Sequence, residues 1–473
     1  MAFLAPIGHL IGIASEAAGV RMTDAIALAF IAGWFLRQLP DRQGPRVAAP
    51  LIGWWFCALV AASTAGVLWQ FGESHETVAD GVRVLAGFAL TAATVAMFRQ
   101  QPGLATTLPA VLAASASIAV LAPPTDARAQ IALFALISCL AVGMAVHSRD
   151  RRRVAWAAVS AWLVFGWIGA IMRGPNMLSA FGQTSELIAA TRRVLASRPL
   201  FGIGISQDAV SSPLFYSPSF SWNGGAGDTH NLLVIGVELG LIGLGLWLAW
   251  IGAGLLRAAR ALAIERGDAR LWGATAGVAA FLAALAVGRP LAFSETAFTF
   301  QIQFGLMTAL AGSTLLNVSR AGGQPVLARL RQRWQRSALA MLGASVIVAG
   351  ALVSARRGPI GHPESPDVDG FYDWETSSSG ERFRRMQEYA SLFVPADVSR
   401  VQVPVRATAG ERTTVTLDVR TDGAAPQSVR LSDQWTDVDV EMLQPAQPAP
   451  LRRIDLRASN AGVDVGEAHL VHR

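Results

Sequence analysis

The chain has 473 residues, of which 52% are hydrophobic and only 15% charged, and its mean hydropathy is +0.40. That balance excludes an ordinary soluble enzyme and predicts a protein that crosses a membrane many times. The net charge of +6 is carried by arginine alone, with no lysine; such a bias gives no reason to expect nucleic acid, although where the arginines fall is informative. Cys57 and Cys139 both sit in apolar runs, which argues against a disulfide framework or a thiolate metal site.

Apolar runs near 4–20, 23–38, 48–70, 82–98, 104–122, 129–147, 154–172, 231–256, 271–288, 298–316 and 337–354 read as eleven spans, since about 20 residues of helix cross a hydrocarbon core of about 30 Å. The first lacks a basic leader and reads as a span, not a cleaved signal. Arg37, Arg42 and Arg46, then Arg99, then Arg149 and Arg151 to Arg153, then Arg257, Arg260 and Arg266, then Arg320 to Arg336 fall in alternate loops. The positive-inside rule places those loops in the cytoplasm. The opposite loops hold Glu73, Glu76 and Asp80, the long segment 173–230, and the turn from Arg289 to Ala297; the same alternation puts the C-terminal tail outside. Within the long segment, residues 184–197 predict an amphipathic helix able to lie on the membrane surface. Leu187, Ile188, Val194 and Leu195 form its apolar stripe, and Arg192 and Arg193 lie away from Leu187.

After Ala355 the composition changes. Pro359, Pro363 and Pro366 mark a linker over 355–370, and 398–407, 412–420, 428–432, 438–442 and 453–458 alternate apolar and polar residues between turn signals. The expected fold is an all-α polytopic membrane bundle over 1–354, including the outer loop 173–230, followed over 371–473 by an antiparallel β-sandwich resembling a jelly roll. No internal repeat is evident in the membrane region, which weakens a transporter reading. Asp367-Val-Asp369 and Asp437-Val-Asp439 read as solvent-facing acids. No Cys/His metal spacing, phosphate-binding glycine loop or Gly-x-Ser-x-Gly elbow stands where it can work, so neither metal nor cofactor is expected.

Three motifs follow one another between Arg198 and Leu244: Arg198-Pro199-Leu200-Phe201-Gly202-Ile203-Gly204, then His230-Asn231, then Glu238-Leu239-Gly240-Leu241-Ile242-Gly243-Leu244. The ordered triple, covering about a tenth of the chain, resembles the signature of the O-antigen ligase and polymerase superfamily. Members are integral-membrane glycosyltransferases acting on lipid-linked glycans at the outer face of the bacterial inner membrane. The resemblance implies a GT-C-like bundle with a periplasmic C-terminal domain and an undecaprenyl-diphosphate-linked glycan as donor. Lipid A-core or a second glycan would be the acceptor, and membrane lipids and other polysaccharide assembly proteins the neighbours. The chain departs from the family where members often carry an arginine about four turns before Pro-Leu-Phe-Gly: here stand Thr184, Ser185 and Glu186.

His230 is the leading catalytic candidate, because an imidazole can take a proton from an acceptor hydroxyl near neutral pH; read alone, it is a capping or interfacial histidine. Glu238 orients it or forms an intramembrane ion pair. A diphosphate needs fixed cations, and guanidinium offers paired donors at any relevant pH. Arg192 and Arg193 are the nearest substitutes for the missing arginine, with Arg198, Arg83 and Arg289 as substrate-binding candidates; each alone also reads as a headgroup or snorkelling arginine. Trp222 and Tyr216 can stack on sugar faces or belong to an interfacial aromatic belt. A non-catalytic transporter or flippase, and a scaffold for polysaccharide assembly, are the rival readings.

Overall fold

The structure is a computed structural model describing residues 29, 31–32, 51–71, 75–101, 103, 107–113, 127–147, 151–173, 177–208, 212–223, 231–285, 290–292, 294–321, 343, 350, 369–408, 415–421, 425–442, 451–459 and 462–472. Its helices are α1 (Leu51–Phe71), α2 (His75–Gln100), α3 (Ala127–His147), α4 (Arg151–Arg173), α5 (Met177–Ser197), α6 (Pro218–Trp222), α7 (Asn231–Ile264), α8 (Ala269–Leu285) and α9 (Ser294–Ala321). Two compact units divide the chain. One comprises Met1–Met177, Leu200–Ile205 and Asp228–Arg356; the other comprises Leu178–Pro199, Ser206–Gly227 and Arg357–Arg473.

The first unit is helical. Four of its helices, over Ile52–Trp69, Thr77–Phe98, Gln130–His147 and Leu232–Ile264, are long and apolar enough to cross a membrane, and α8 is a shorter apolar helix. α1 carries no charged residue, and a helix apolar on every side needs protein or lipid around it. The interior is built on aromatic rings: Phe281 stacks on Phe300 at 4.6 Å, and Trp250 meets Phe304 at 5.0 Å and Phe88 at 5.5 Å. Buried amides tie helices together. Gln303 on α9 donates to Leu136 O on α3 at 2.9 Å, and Thr91 on α2 donates to Gln301 Oε1 at 2.6 Å; such cross-helix bonds contribute about 0.6–2 kcal/mol each in a bilayer.

α3 and α8 approach each other closely. A Cβ at Gly143 would lie 2.4 Å from Ala269 O, one at Gly273 would lie 2.5 Å from Cys139 O, and one at Gly277 would lie 2.4 Å from Leu136 O. Only hydrogen fits there, so the glycines set the interaxial distance.

Several sequence expectations are corrected. Residues 75–80, read as outer loop, are the first turns of α2, and Arg83 pairs with Asp80 one turn earlier at 2.7 Å. Arg257, Arg260 and Arg320 lie within α7 and α9, not in loops. α7 is not one continuous helix: Gly240, at φ 67° and ψ −173°, interrupts it. The runs near 4–20, 23–38, 104–122 and 337–354 fall wholly or largely outside the described residues.

The second unit joins α5 and α6 to an antiparallel β module. Its strands are β1 (Phe371–Thr376), β2 (Arg382–Met386), β3 (Tyr389–Pro395), β4 (Val398–Ala407), β5 (Val415–Thr421), β6 (Gln427–Leu431), β7 (Thr436–Glu441), β8 (Leu451–Ala458), β9 (Val463–Gly466) and β10 (His469–His472). One sheet runs β1-β2-β9-β4-β10 with β7 on the other edge of β4, and the second runs β3-β8-β5-β6. Val401, Val403 and Val405 from the first sheet and Leu392, Leu417, Ile454 and Leu456 from the second share one apolar core. Alternation revealed β4 to the residue; β1, β2, β3, β9 and β10 escaped it, because β1 and β10 expose nearly every side chain, β3 buries several in succession, and Arg384, Arg385 and Asp464 put charge into β2 and β9. Asp439 is exposed and paired with Arg400 at 3.1 Å. Asp369, expected to face solvent, is instead 5% exposed, accepting from Phe371 N–H at 3.1 Å and Arg384 at 3.4 Å.

Replacing Gly273 by leucine is expected to separate α3 from α8 and lower the unfolding free energy of the detergent-purified chain by at least about 3 kcal/mol. Gly245, with no atom within 4 Å of its virtual Cβ, should accept alanine with unchanged or slightly raised stability; thermal denaturation of the two variants checks the contrast.

Candidate functional site

The break at Gly240 strips α7 of its own hydrogen bonds, leaving carbonyls on one side and N–H groups on the other without helical partners. The loop 200–205 meets both sets. Ile203 N–H donates to Val237 O and Gly204 N–H to Glu238 O, each at 2.9 Å, while Leu200 O accepts from Ile242 N–H at 3.2 Å. From α1, the Ser63 hydroxyl oxygen accepts from Ile205 N–H at 3.2 Å. Two glycines allow the approach. Gly202 has φ +66°, and a Cβ there would lie 2.4 Å from Val237 O; Gly240 has φ +67°, and a Cβ there would lie 2.4 Å from Leu200 O. Both positions need glycine twice over, for left-handed backbone and for space. Two motifs nearly forty residues apart thus form one backbone-bonded knot.

In the second unit the segment 212–223 lies as a strap between α5 and the four-stranded sheet. Glu186 on α5 accepts from Ser217 N–H at 2.7 Å and pairs with Arg193 at 3.3 Å, and Arg193 also donates to Phe215 O at 2.8 Å. From the sheet, Arg453, only 4% exposed, donates to Tyr216 O at 2.9 Å, Ser391 Oγ at 2.8 Å and Asp455 Oδ1 at 2.7 Å. Asp455 Oδ2 accepts from Ser221 Oγ at 2.8 Å. Arg420 donates to Ser221 O at 2.6 Å and Trp222 O at 3.0 Å, its guanidinium 5.0 Å above the Trp222 ring. The strap carbonyls of Phe215, Tyr216, Ser221 and Trp222 therefore each receive a guanidinium donor, and charge-assisted bonds of this kind are the strong ones. A strap bonded in this way shares the compartment of the β module.

The predicted site residues are dispersed by these contacts. Arg192 is exposed, whereas Arg193 is taken up by Glu186 and the strap. Arg198 is buried at 7% exposure, and Arg83 is held by Asp80. Tyr216 is 5% exposed with its ring edge-on to Phe220 at 5.1 Å, so it is packing and not an open stacking surface. Trp222 is half-buried beneath Arg420. Glu238 is half-buried just before the break in α7. His230 and Arg289 lie outside the described residues. On α5 the buried stripe is Leu187, Ala190, Thr191 and Val194, with Ile188 exposed, so the stripe follows 3.6-residue spacing more narrowly than expected. Among the described residues no three His, Cys, Asp or Glu side chains gather as a metal ion would require.

Sequence reasoning missed Arg420, Arg453 and Asp455. Arg453 and Asp455 alternate with core residues Ile454 and Leu456 on β8, which is the pattern of a solvent-facing row; nothing local announces that a distant strap covers it.

Comparison with protein-family models and with curated proteins returns no match. What the fold defines is a membrane protein of several apolar helices with an antiparallel β module at its C-terminal end.

Gly240→Ala is expected to destabilise the chain by about 3 kcal/mol or more through φ strain and the clash with Leu200, while Gly236→Ala, whose nearest atom is 3.6 Å away, should be tolerated; thermal unfolding distinguishes them. Arg453→Ala should release the strap, since breaking a buried pair costs about 3–5 kcal/mol. Limited proteolysis within 212–223 should accelerate at least about tenfold over the wild type, and the exposed Arg430→Ala should not change it.

Proposed function

We propose that this protein is a membrane glycosyltransferase of the O-antigen ligase and polymerase type, acting at the periplasmic face of a bacterial inner membrane. Its donor is a glycan on undecaprenyl diphosphate, and its acceptor is a hydroxyl of lipid A-core or of a second lipid-linked glycan. The observation that carries the reading is the knot: the Pro-Leu-Phe-Gly-Ile-Gly loop and the Glu-Leu-Gly break, two of the three motifs on which the resemblance rests, are bonded to each other through Val237, Glu238 and Leu200. The third, His230-Asn231, is next in sequence, with α7 beginning at Asn231.

In this reading the acceptor oxygen attacks the anomeric carbon as the bond to the diphosphate oxygen breaks. His230 takes the acceptor proton, and a guanidinium stabilises the departing diphosphate. Arg192 is the candidate for that role, because its side chain is exposed while Arg193 is spent on Glu186 and Phe215. The docking of the strap on the β module supports one further point: outer loop and C-terminal module lie on the same side of the membrane, as the alternation of arginines also requires.

The test is a deletion strain complemented with wild type or His230→Ala at matched membrane abundance, its glycans sized by gel and mass analysis. Transfer should fall at least about 100-fold, the usual contribution of a positioned base. Accumulated single lipid-linked repeats identify a polymerase, and full-length chains left on the carrier identify a ligase. Unchanged glycan would overturn the proposal in favour of a transporter or scaffold.

A further inference from the structure

At the end of α3 a groove of about 570 Å³ opens between α3 and α8, lined by Ser138, Cys139, Val142, Val146, Trp272 and Ala276, with Arg266 at its rim. The glycine contacts explain why it exists. Gly143 and Gly273 bring the two backbones so close that the flanking side chains stand up as walls, with Val142, Val146 and Trp272 leaving 49%, 62% and 54% of their surface uncovered. Those walls belong to apolar helices, so their solvent is hydrocarbon, and the volume lies within the range of small-molecule sites.

The rim is electrostatically asymmetric. Asp268 caps α8, accepting from Arg270 N–H at 3.0 Å and Leu271 N–H at 3.4 Å, and the same carboxylate holds the Arg270 guanidinium at 3.1 and 3.2 Å. Burial pushes the Asp268 carboxyl up, but Arg270 and the two amides outweigh it and hold the group below the usual carboxylate range. Glu265, the other acid of the turn, accepts from Thr314 at 3.1 Å. Arg266 is left facing the groove mouth, its carbonyl accepting from Trp272 Nε1 at 3.3 Å, and α4 begins nearby in sequence with Arg151, Arg152 and Arg153. This is the arginine-rich end of the bundle.

We propose that this groove binds one anionic phospholipid, an acyl chain lying between Val142, Val146 and Trp272 and its phosphate on Arg266. A basic rim above an apolar interhelical cleft is the physical combination such a lipid requires: the cleft takes the chain and the guanidinium offers paired donors to the phosphate. The site lies apart from the loop 200–205 and does not depend on the glycosyltransferase reading.

The test is native mass spectrometry of the full-length chain in detergent, titrated with phosphatidylglycerol or phosphatidylcholine of matched acyl chains. The wild type should take its first phosphatidylglycerol about fivefold more tightly, the ratio expected of one arginine at the surface. Arg266→Gln should abolish that preference and Arg266→Lys keep most of it. Ala276→Phe, filling the groove, should weaken the first binding event of both lipids. Equal affinities in the wild type, a preference that survives Arg266→Gln, or indifference to Ala276→Phe would each overturn the site and leave only an annular lipid. Unfolding temperatures within about 2 °C of wild type confirm that the variants fold.

Discussion

Interrupting an apolar helix at Gly240 leaves peptide groups that hydrocarbon cannot satisfy, and irregular backbone is tolerated at membrane depth only where protein covers it. The loop 200–205 provides that cover, with Ile203 and Gly204 donating to α7 and Leu200 accepting from it. The arrangement is mutual. The loop's own turn, with left-handed glycines at 202 and 204, would expose unbonded amides without the break in α7, and the break would expose carbonyls without the loop. Each half supplies the partners that the other lacks, so the knot ties the loop 200–205 to α7 on both sides of the break.

Arginine does two kinds of work. In the second unit Arg193, Arg420 and Arg453 bind strap carbonyls, with Glu186 and Asp455 balancing them. Guanidinium suits the task because its planar donors reach several acceptors at once without losing charge. The aromatic side chains of the strap, Tyr216 and Trp222, are drawn into the same contacts. The β module is therefore a seat for the strap 212–223 as well as a fold of its own. In the first unit Arg270 pairs with Asp268, and Arg266 lines the groove between α3 and α8.

The coarse plan was legible because it rests on composition: apolar runs marked α1, α3 and α8 to within a few residues, and period-two alternation marked β4. What escaped depended on distant partners. Gly240 stood out as part of a motif but not as a break in the helix, since its backbone meets Leu200, a residue forty positions earlier. The roles of Arg453 and Asp455 were hidden in an alternating stretch because the covering strap lies more than two hundred residues earlier. Tyr216 looked available for a sugar for the same reason. Of the motif residues, the sequence exposed which ones belong together but not that glycine geometry joins them.

Amide hydrogen exchange across 200–206 in the purified, membrane-mimetic-embedded chain bears most directly on the knot. With Ile203, Gly204 and Ile205 N–H groups bonded to Val237, Glu238 and Ser63, that peptide should exchange as slowly as the interior of α7. Exchange at the rate of an open loop would contradict it, and with it the physical basis for treating the two motifs as one site.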